Sequence, residues 1–134
     1  MPFEGKHNVV YLDPPGIPTI CYGHTQDVVL GQKASDAECE AFLRADMLKA
    51  NTVIDRVVKV PLPDARRAAL ISFVYNTGEG RFVKSTLLRK LNAGNTRGAC
   101  DELLRWVYAG GKKLPGLVKR RAAEHELCVK GLSP

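Results

Sequence analysis

The segment Asp64–Gly78, DARRAALISFVYNTG, constrains the chain more than any other stretch. Ala68, Ala69, Leu70, Ile71, Phe73 and Val74 leave a helix here with apolar side chains nearly all round. Such a helix cannot lie on a surface; it has to sit in the middle of a fold, with other elements packed around it. Asp64 is placed to cap its start, and Asn76-Thr77-Gly78 is a helix stop. The 134 residues then have to supply the shell around this helix, which fits one domain and leaves no room for two full-sized cores.

The shell is read from the flanks. Ser35-Asp36-Ala37-Glu38 has the capping-box form, and Phe42, Ala45, Leu48, Val53 and Ile54 recur at helical spacing to about Val58, before Pro61 and Pro63. After the central helix, Ser85 or Thr86 starts a short helix over Leu87, Leu88 and Leu91, ending at Asn92-Ala93-Gly94. A further helix is expected from Thr96 to Tyr108, closed by Gly110-Gly111, and a last one from Pro115 to Val129, ending at Gly131. Only the first part of the chain reads as β structure. Val9-Val10-Tyr11-Leu12 and Ile17-Pro18-Thr19-Ile20-Cys21-Tyr22 flank the turn Asp13-Pro14-Pro15-Gly16, and Pro18 points to edge strands. The fold class is α+β: a β-hairpin lobe over about residues 5–30 and a helical body over about 35–131.

Composition excludes several classes. With 45% hydrophobic and 25% charged residues the chain is not of the disordered type, and no apolar run reaches the roughly 18 residues of a membrane span. The net charge of +6 favours anionic partners: nucleic acid, acidic lipid or an anionic cell wall. Cys21, Cys39, Cys100 and Cys128 show no C-x-x-C spacing, and the scattered His7, His24 and His125 form no metal-binding pattern. Buried thiols and disulfides both remain open from the residues alone, and four cysteines allow three pairings.

The hairpin gathers candidate chemistry. Glu4 precedes the first strand, Asp13 ends it, and Thr19 begins the second; residues 5–12 separate Glu4 from Asp13 and residues 14–18 separate Asp13 from Thr19. Two carboxylates across a groove suit acetal hydrolysis, one protonated to donate to the departing oxygen and one ionised to activate water. Asp13 before Pro-Pro-Gly has an equally ordinary use as a turn residue. Trp106 and Tyr108, ahead of Gly110-Gly111-Lys112-Lys113, are able to stack on rings or to fill the core. Lys119-Arg120-Arg121 is a basic cluster that would suit phosphates, so a nucleic-acid-binding domain is one alternative and a wall-binding module without turnover is another.

The stretch EGKHNVVYLDPPGIPTICYGHT (Glu4–Thr25) resembles the signature of the phage lysozymes of glycoside hydrolase family 24: a Glu, eight residues, an Asp or Cys, five residues, a Thr. Ser72–Gly94 and Gly116–Cys128 are also similar to that family, above all to its signal-arrest-release endolysins, so the resemblance runs through nearly the whole chain. It implies a lysozyme-like fold and an inverting muramidase that cleaves the β-1,4 bond between N-acetylmuramic acid and N-acetylglucosamine in peptidoglycan and lyses the host cell. By position, Glu4 would be the general acid, Asp13 and Thr19 would hold the attacking water, and His24 and Asn76 would lie at the substrate.

Neither cofactor nor metal is implied, and the expected partner is peptidoglycan, met by a monomer without nucleic acid or stable membrane contact. Cys21 stands where many members have Gly; with Cys39, Cys100 and Cys128 it matches the endolysin cysteines, which implies Cys21–Cys39 and Cys100–Cys128 bridges. The site of action implied is the cell wall in the bacterial periplasm. Met1-Pro2-Phe3 leads straight into Glu4, so an export or anchor segment is expected to be missing from this chain.

Overall fold

The computed structural model describes residues 7–13, 17–21 and 35–132, the first two segments by their backbone. Strands β1 (His7–Asp13) and β2 (Ile17–Cys21) form an antiparallel ribbon, followed by helices α1 (Asp36–Val57), α2 (Asp64–Thr77), α3 (Glu79–Val83), α4 (Thr86–Asn92) and α5 (Thr96–Glu102). A 3₁₀ turn (Leu103–Arg105), a second short ribbon of β3 (Tyr108–Ala109) and β4 (Lys112–Lys113), and α6 (Pro115–Val129) complete the order. The architecture is the expected α+β, β ribbon first and helical body after.

Helix starts follow the capping chemistry of the sequence. Ser35 Oγ accepts from the Glu38 amide at 3.1 Å while Glu38 Oε1 accepts from the Ser35 amide at 3.0 Å, a complete capping box at α1. Ser85 caps α4 through the Leu88 amide, and Asn95 caps α5 through the Gly98 amide. A Cβ at Gly98 would stand 2.4 Å from Asn95 Nδ2, so a larger residue there would displace that cap. At α2 the expectation is corrected: Pro63 is the N-cap, without a side-chain bond, and Asp64 is the first helical residue, where its charge favours the positive helix end.

From Ala69 to Thr77 no residue of α2 is exposed. Leu70, Phe73 and Val74 meet Ile54 of α1, Phe82 of α3, Leu87 and Leu91 of α4, and Leu103 in one apolar cluster. Phe73 is its hub, with Phe82 and Trp106 set edge-on at 6.2 and 5.3 Å.

The C-terminal half of the body departs from the sequence reading. The helix expected over Thr96–Tyr108 ends at Glu102, and the chain then tightens into the 3₁₀ turn. Gly110-Gly111 does not stop a helix; it turns a hairpin, with φ of 59° and 78°. Helix α3 has no counterpart in the sequence reading either. Five residues carry too little periodicity to announce a helix, and two-residue strands too little alternation.

Helices α2 and α6 run antiparallel, held together by polar ties spaced along their length. Near the start of α2, buried Arg66 donates from Nε to the Cys128 carbonyl at 2.9 Å. In the middle, Ser72 Oγ donates to Glu124 Oε2 at 2.6 Å. In the last turn of α2, Asn76 Oδ1 accepts from Arg121 Nη2 at 2.9 Å. Glu124 is only 1% exposed and draws in both arginines of its own helix: Arg121 Nε lies 2.8 Å from Oε1, and Arg120 Nε 3.4 Å from Oε2. The Arg121 guanidinium covers the Phe73 ring at 4.9 Å, and that of Arg120 faces Tyr75 at 5.7 Å. Charges in such a place persist only when closely paired.

Cys100 and Cys128 are bonded, joining α5 to α6, as the family resemblance implied. Cys39, fully buried in the first turn of α1, is disulfide-bonded too. Its expected partner, Cys21, has a side chain outside the described residues.

The disulfide and the buried carboxylate each have a measurable effect on stability. Replacing Cys100 and Cys128 by alanine opens a loop spanning 28 positions and should cost roughly 3 kcal/mol in the chain-entropy account, read as a lowered denaturation midpoint. Burial pushes the Glu124 carboxyl above its ordinary value of 4.5, opposed by the charge of Arg121, the Ser72 hydroxyl and Arg120. A carboxyl raised in this way binds its proton more tightly folded than unfolded. Its contribution is therefore complete below the ordinary value and lost as pH rises through the folded one. Measured against Glu124→Gln, the parent should lose stability as pH climbs from 4.5; urea midpoints whose difference stays flat over that interval would contradict the assignment.

Candidate active site

The ribbon places two of the three expected catalytic positions. In the β1–β2 register Tyr11 pairs with Thr19 and Asp13 with Ile17. Alternation along a strand has a period of two, so positions 11, 13, 17 and 19 share one face of the ribbon, two rungs apart. Asp13 closes β1, as expected, whereas Thr19 is the third residue of β2 and not its first. The register shifts between His7 and Tyr11, an irregularity of the kind that bends and twists a ribbon. Strand β2 also runs beside α1, which fixes the ribbon to the helical body. Glu4 and His24 fall outside the described residues.

On the helical side the expected site residue is Asn76, in the last turn of α2 before Gly78 turns the chain at φ 93°. Its carboxamide orientation is fixed by chemistry. Arg121 has only donors, so the group it meets at 2.9 Å has to be the oxygen of Asn76, and the amide nitrogen is the end directed elsewhere. Thr77 Oγ1 donates to the Phe73 carbonyl at 2.8 Å and tightens the same turn. Asn76 thus sits on a helix end tied to the buried cluster of α6.

Two sequence readings change here. Lys119-Arg120-Arg121 is not a phosphate-binding patch: Arg120 and Arg121 are 1% and 0% exposed and turned to Glu124, which leaves Lys119 as its exposed cation. The signal was present in the sequence, since Arg121 and Arg120 stand three and four residues before Glu124, on one helix face. What pattern alone did not give was that this face is the buried one. Trp106 and Tyr108 also part company, Trp106 packing on Phe73 and Tyr108 lying 62% exposed.

His125 Nε2 stands 2.8 Å from Asp101 Oδ1, linking α6 to α5. Among the described residues there is no group of three or more His, Cys, Asp or Glu arranged to hold a metal ion. Among them, too, no helix is long and apolar enough to cross a membrane.

Comparison with known proteins agrees with this geometry. The phage lysozyme family model matches residues 1–124. The SAR-endolysin of Bacteriophage PS119 is 47% identical over 129 residues, covering 96% of this chain and 77% of the relative. Among solved structures, the muramidase domain of SpmX from Asticaccaulis excentricus superposes with a TM-score of 0.83 at 31% identity, over 99% of this chain and 91% of that one. The active form of the P1 phage endolysin Lyz gives 0.82 at 26% identity, over 98% and 81%. With its β ribbon beside α1, its buried central helix and a match that reaches from the first residue into α6, the chain belongs to the phage lysozyme family.

Proposed function

We propose that this peptidoglycan-hydrolysing endolysin is an inverting muramidase that cleaves the β-1,4 bond between N-acetylmuramic acid and N-acetylglucosamine. The observation that carries the reading is the ribbon register, which sets positions 13 and 19 on one face, two rungs apart. A carboxylate and a hydroxyl at that spacing suit a single water: Asp13 accepts one of its protons and Thr19, able both to donate and to accept, orients it. Glu4 acts from the other side of the sugar as the acid. It gives its proton to the departing glycosidic oxygen as the C1–O bond breaks, and the water oxygen bonds to C1 from the opposite face while its proton passes to Asp13. Asn76, and His24 with it, hold the glycan strand. The whole chain works as one catalytic domain, as a monomer, and needs no cofactor.

The SAR-endolysin relatives support placing this activity at the bacterial cell wall after export, with lysis of the host cell as its outcome. The net charge of +6 fits the same setting, because peptidoglycan stem peptides and outer-membrane lipids are anionic.

Glu4→Gln removes the donated proton while preserving size. It is expected to lower the release of muropeptides from purified sacculi by a factor on the order of a hundred or more, with an unchanged circular dichroism spectrum. Parental rates in that variant would remove Glu4 from the role of acid. Mass analysis of the parent's products should find hydrated reducing ends at muramic acid; anhydro ends would instead mean a lytic transglycosylase. Lysis of permeabilised cells should also slow as salt is raised, since exposed charges are screened over about 8 Å at physiological ionic strength. Rates that do not respond to salt would disconnect the basic surface from wall binding.

A further inference from the structure

The second ribbon has no part in the chemistry above, yet its surface is unusual. β3 and β4 pair Tyr108 with Lys113 and Ala109 with Lys112. Gly110 and Gly111 join them, both at positive φ, which makes a tight two-residue turn of type I′. The turn is stiff, and its tip carries no side chain. Across the ladder, Tyr108 and Lys113 are direct cross-strand neighbours and both are exposed, Tyr108 by 62%. Leu104, 46% exposed, and Arg105 precede them on the 3₁₀ turn, and Lys112 and Lys119 are exposed as well. Arg105 reaches back to Glu102 at 3.5 Å. Between Glu102 and Glu124 the sequence contains no acidic residue at all. The neighbouring aromatic, Trp106, is committed to the core at 5.3 Å from Phe73. Tyr108 has no comparable structural task, and an exposed ring flanked by cations is what an anionic, ring-bearing polymer would bind.

We propose that the β3–β4 hairpin is an auxiliary docking surface for the peptidoglycan strand. A sugar ring lies on the face of Tyr108, and carboxylates of the stem peptides meet Lys112 and Lys113. The identity of the ligand rests on the muramidase reading; the existence of the surface does not. Charge suits either anionic partner, and the make-up of the tip favours the glycan over a lipid surface. A hairpin that enters lipid needs an apolar wedge at its tip, and this tip is Gly110-Gly111 with lysines directly after it. A flat polar ring with carboxylates to one side needs a platform with cations beside it, as found here.

The experiment measures co-sedimentation with purified sacculi in a Glu4→Gln background, so that the wall is bound without being consumed. Tyr108→Phe should bind as the background protein does. Tyr108→Ala should bind roughly fivefold more weakly. The double variant Lys112→Glu, Lys113→Glu should bind about tenfold more weakly and lose most of the salt dependence. Matching thermal unfolding curves show that these variants are folded, and the lysine pair, exposed on a surface strand, keeps the test decisive if the tyrosine variants are impaired. Sacculus binding unchanged in both Tyr108→Ala and the lysine variant overturns the proposal. So does retention on phosphatidylglycerol vesicles that the variants lose while keeping full sacculus binding, which would assign the surface to lipid. Release of reducing ends by the protein with Glu4 intact tests the muramidase reading separately, so that either idea can fail alone.

Discussion

A single buried carboxylate joins the two helices on which the body depends. Glu124 receives the Ser72 hydroxyl from α2 and the guanidinium groups of Arg120 and Arg121 from its own helix, in a place that water hardly reaches. Taking such charges out of water is expensive, and the cost is offset only when every partner arrives in the right place. An apolar contact between α2 and α6 would tolerate sliding by part of a turn. The ordered ties from Arg66 to Cys128, Ser72 to Glu124 and Asn76 to Arg121 do not. They set the register of one helix along the other, and the Cys100–Cys128 bond then sets α5 against α6.

That register reaches to the end of α2. The Arg121 guanidinium that serves Glu124 also holds the oxygen of Asn76, so the core ion cluster fixes the orientation of a carboxamide at the helix terminus. The β1–β2 ribbon is governed by a different constraint, the alternation of its strands, which puts positions 13 and 19 on one face. Helical body and ribbon meet where β2 runs beside α1.

Elements that announce themselves locally were legible in the sequence. The capping box at Ser35, the serine cap at Ser85 and the Gly78 stop of α2 each satisfy backbone groups within a few residues, and Pro115 starts α6 with a fixed φ and no N–H to satisfy. Elements defined by their surroundings were not. The helix expected to reach Tyr108 gives way after Glu102 because Leu103 and Trp106 turn into the core around Phe73, a demand made from elsewhere in the fold. Gly110-Gly111 reads equally well as a helix stop or a hairpin turn, and only the pairing of Tyr108 with Lys113 decides between them.

The candidate site divides in the same way. The order Glu4, Asp13, Thr19 and the similarity of three separated segments to the phage lysozymes carried the family, the fold class and the chemistry expected of it. The spacing that sets Arg120 and Arg121 against Glu124 also lies in the sequence, although the triplet reads there as a phosphate-binding cluster. Burial is not. Whether a basic triplet faces solvent or a buried carboxylate, and whether Trp106 or Tyr108 takes the core, depends on what the rest of the molecule packs against it. Local sequence sets the shape and the polarity of each face, and only long-range packing decides which face is removed from water.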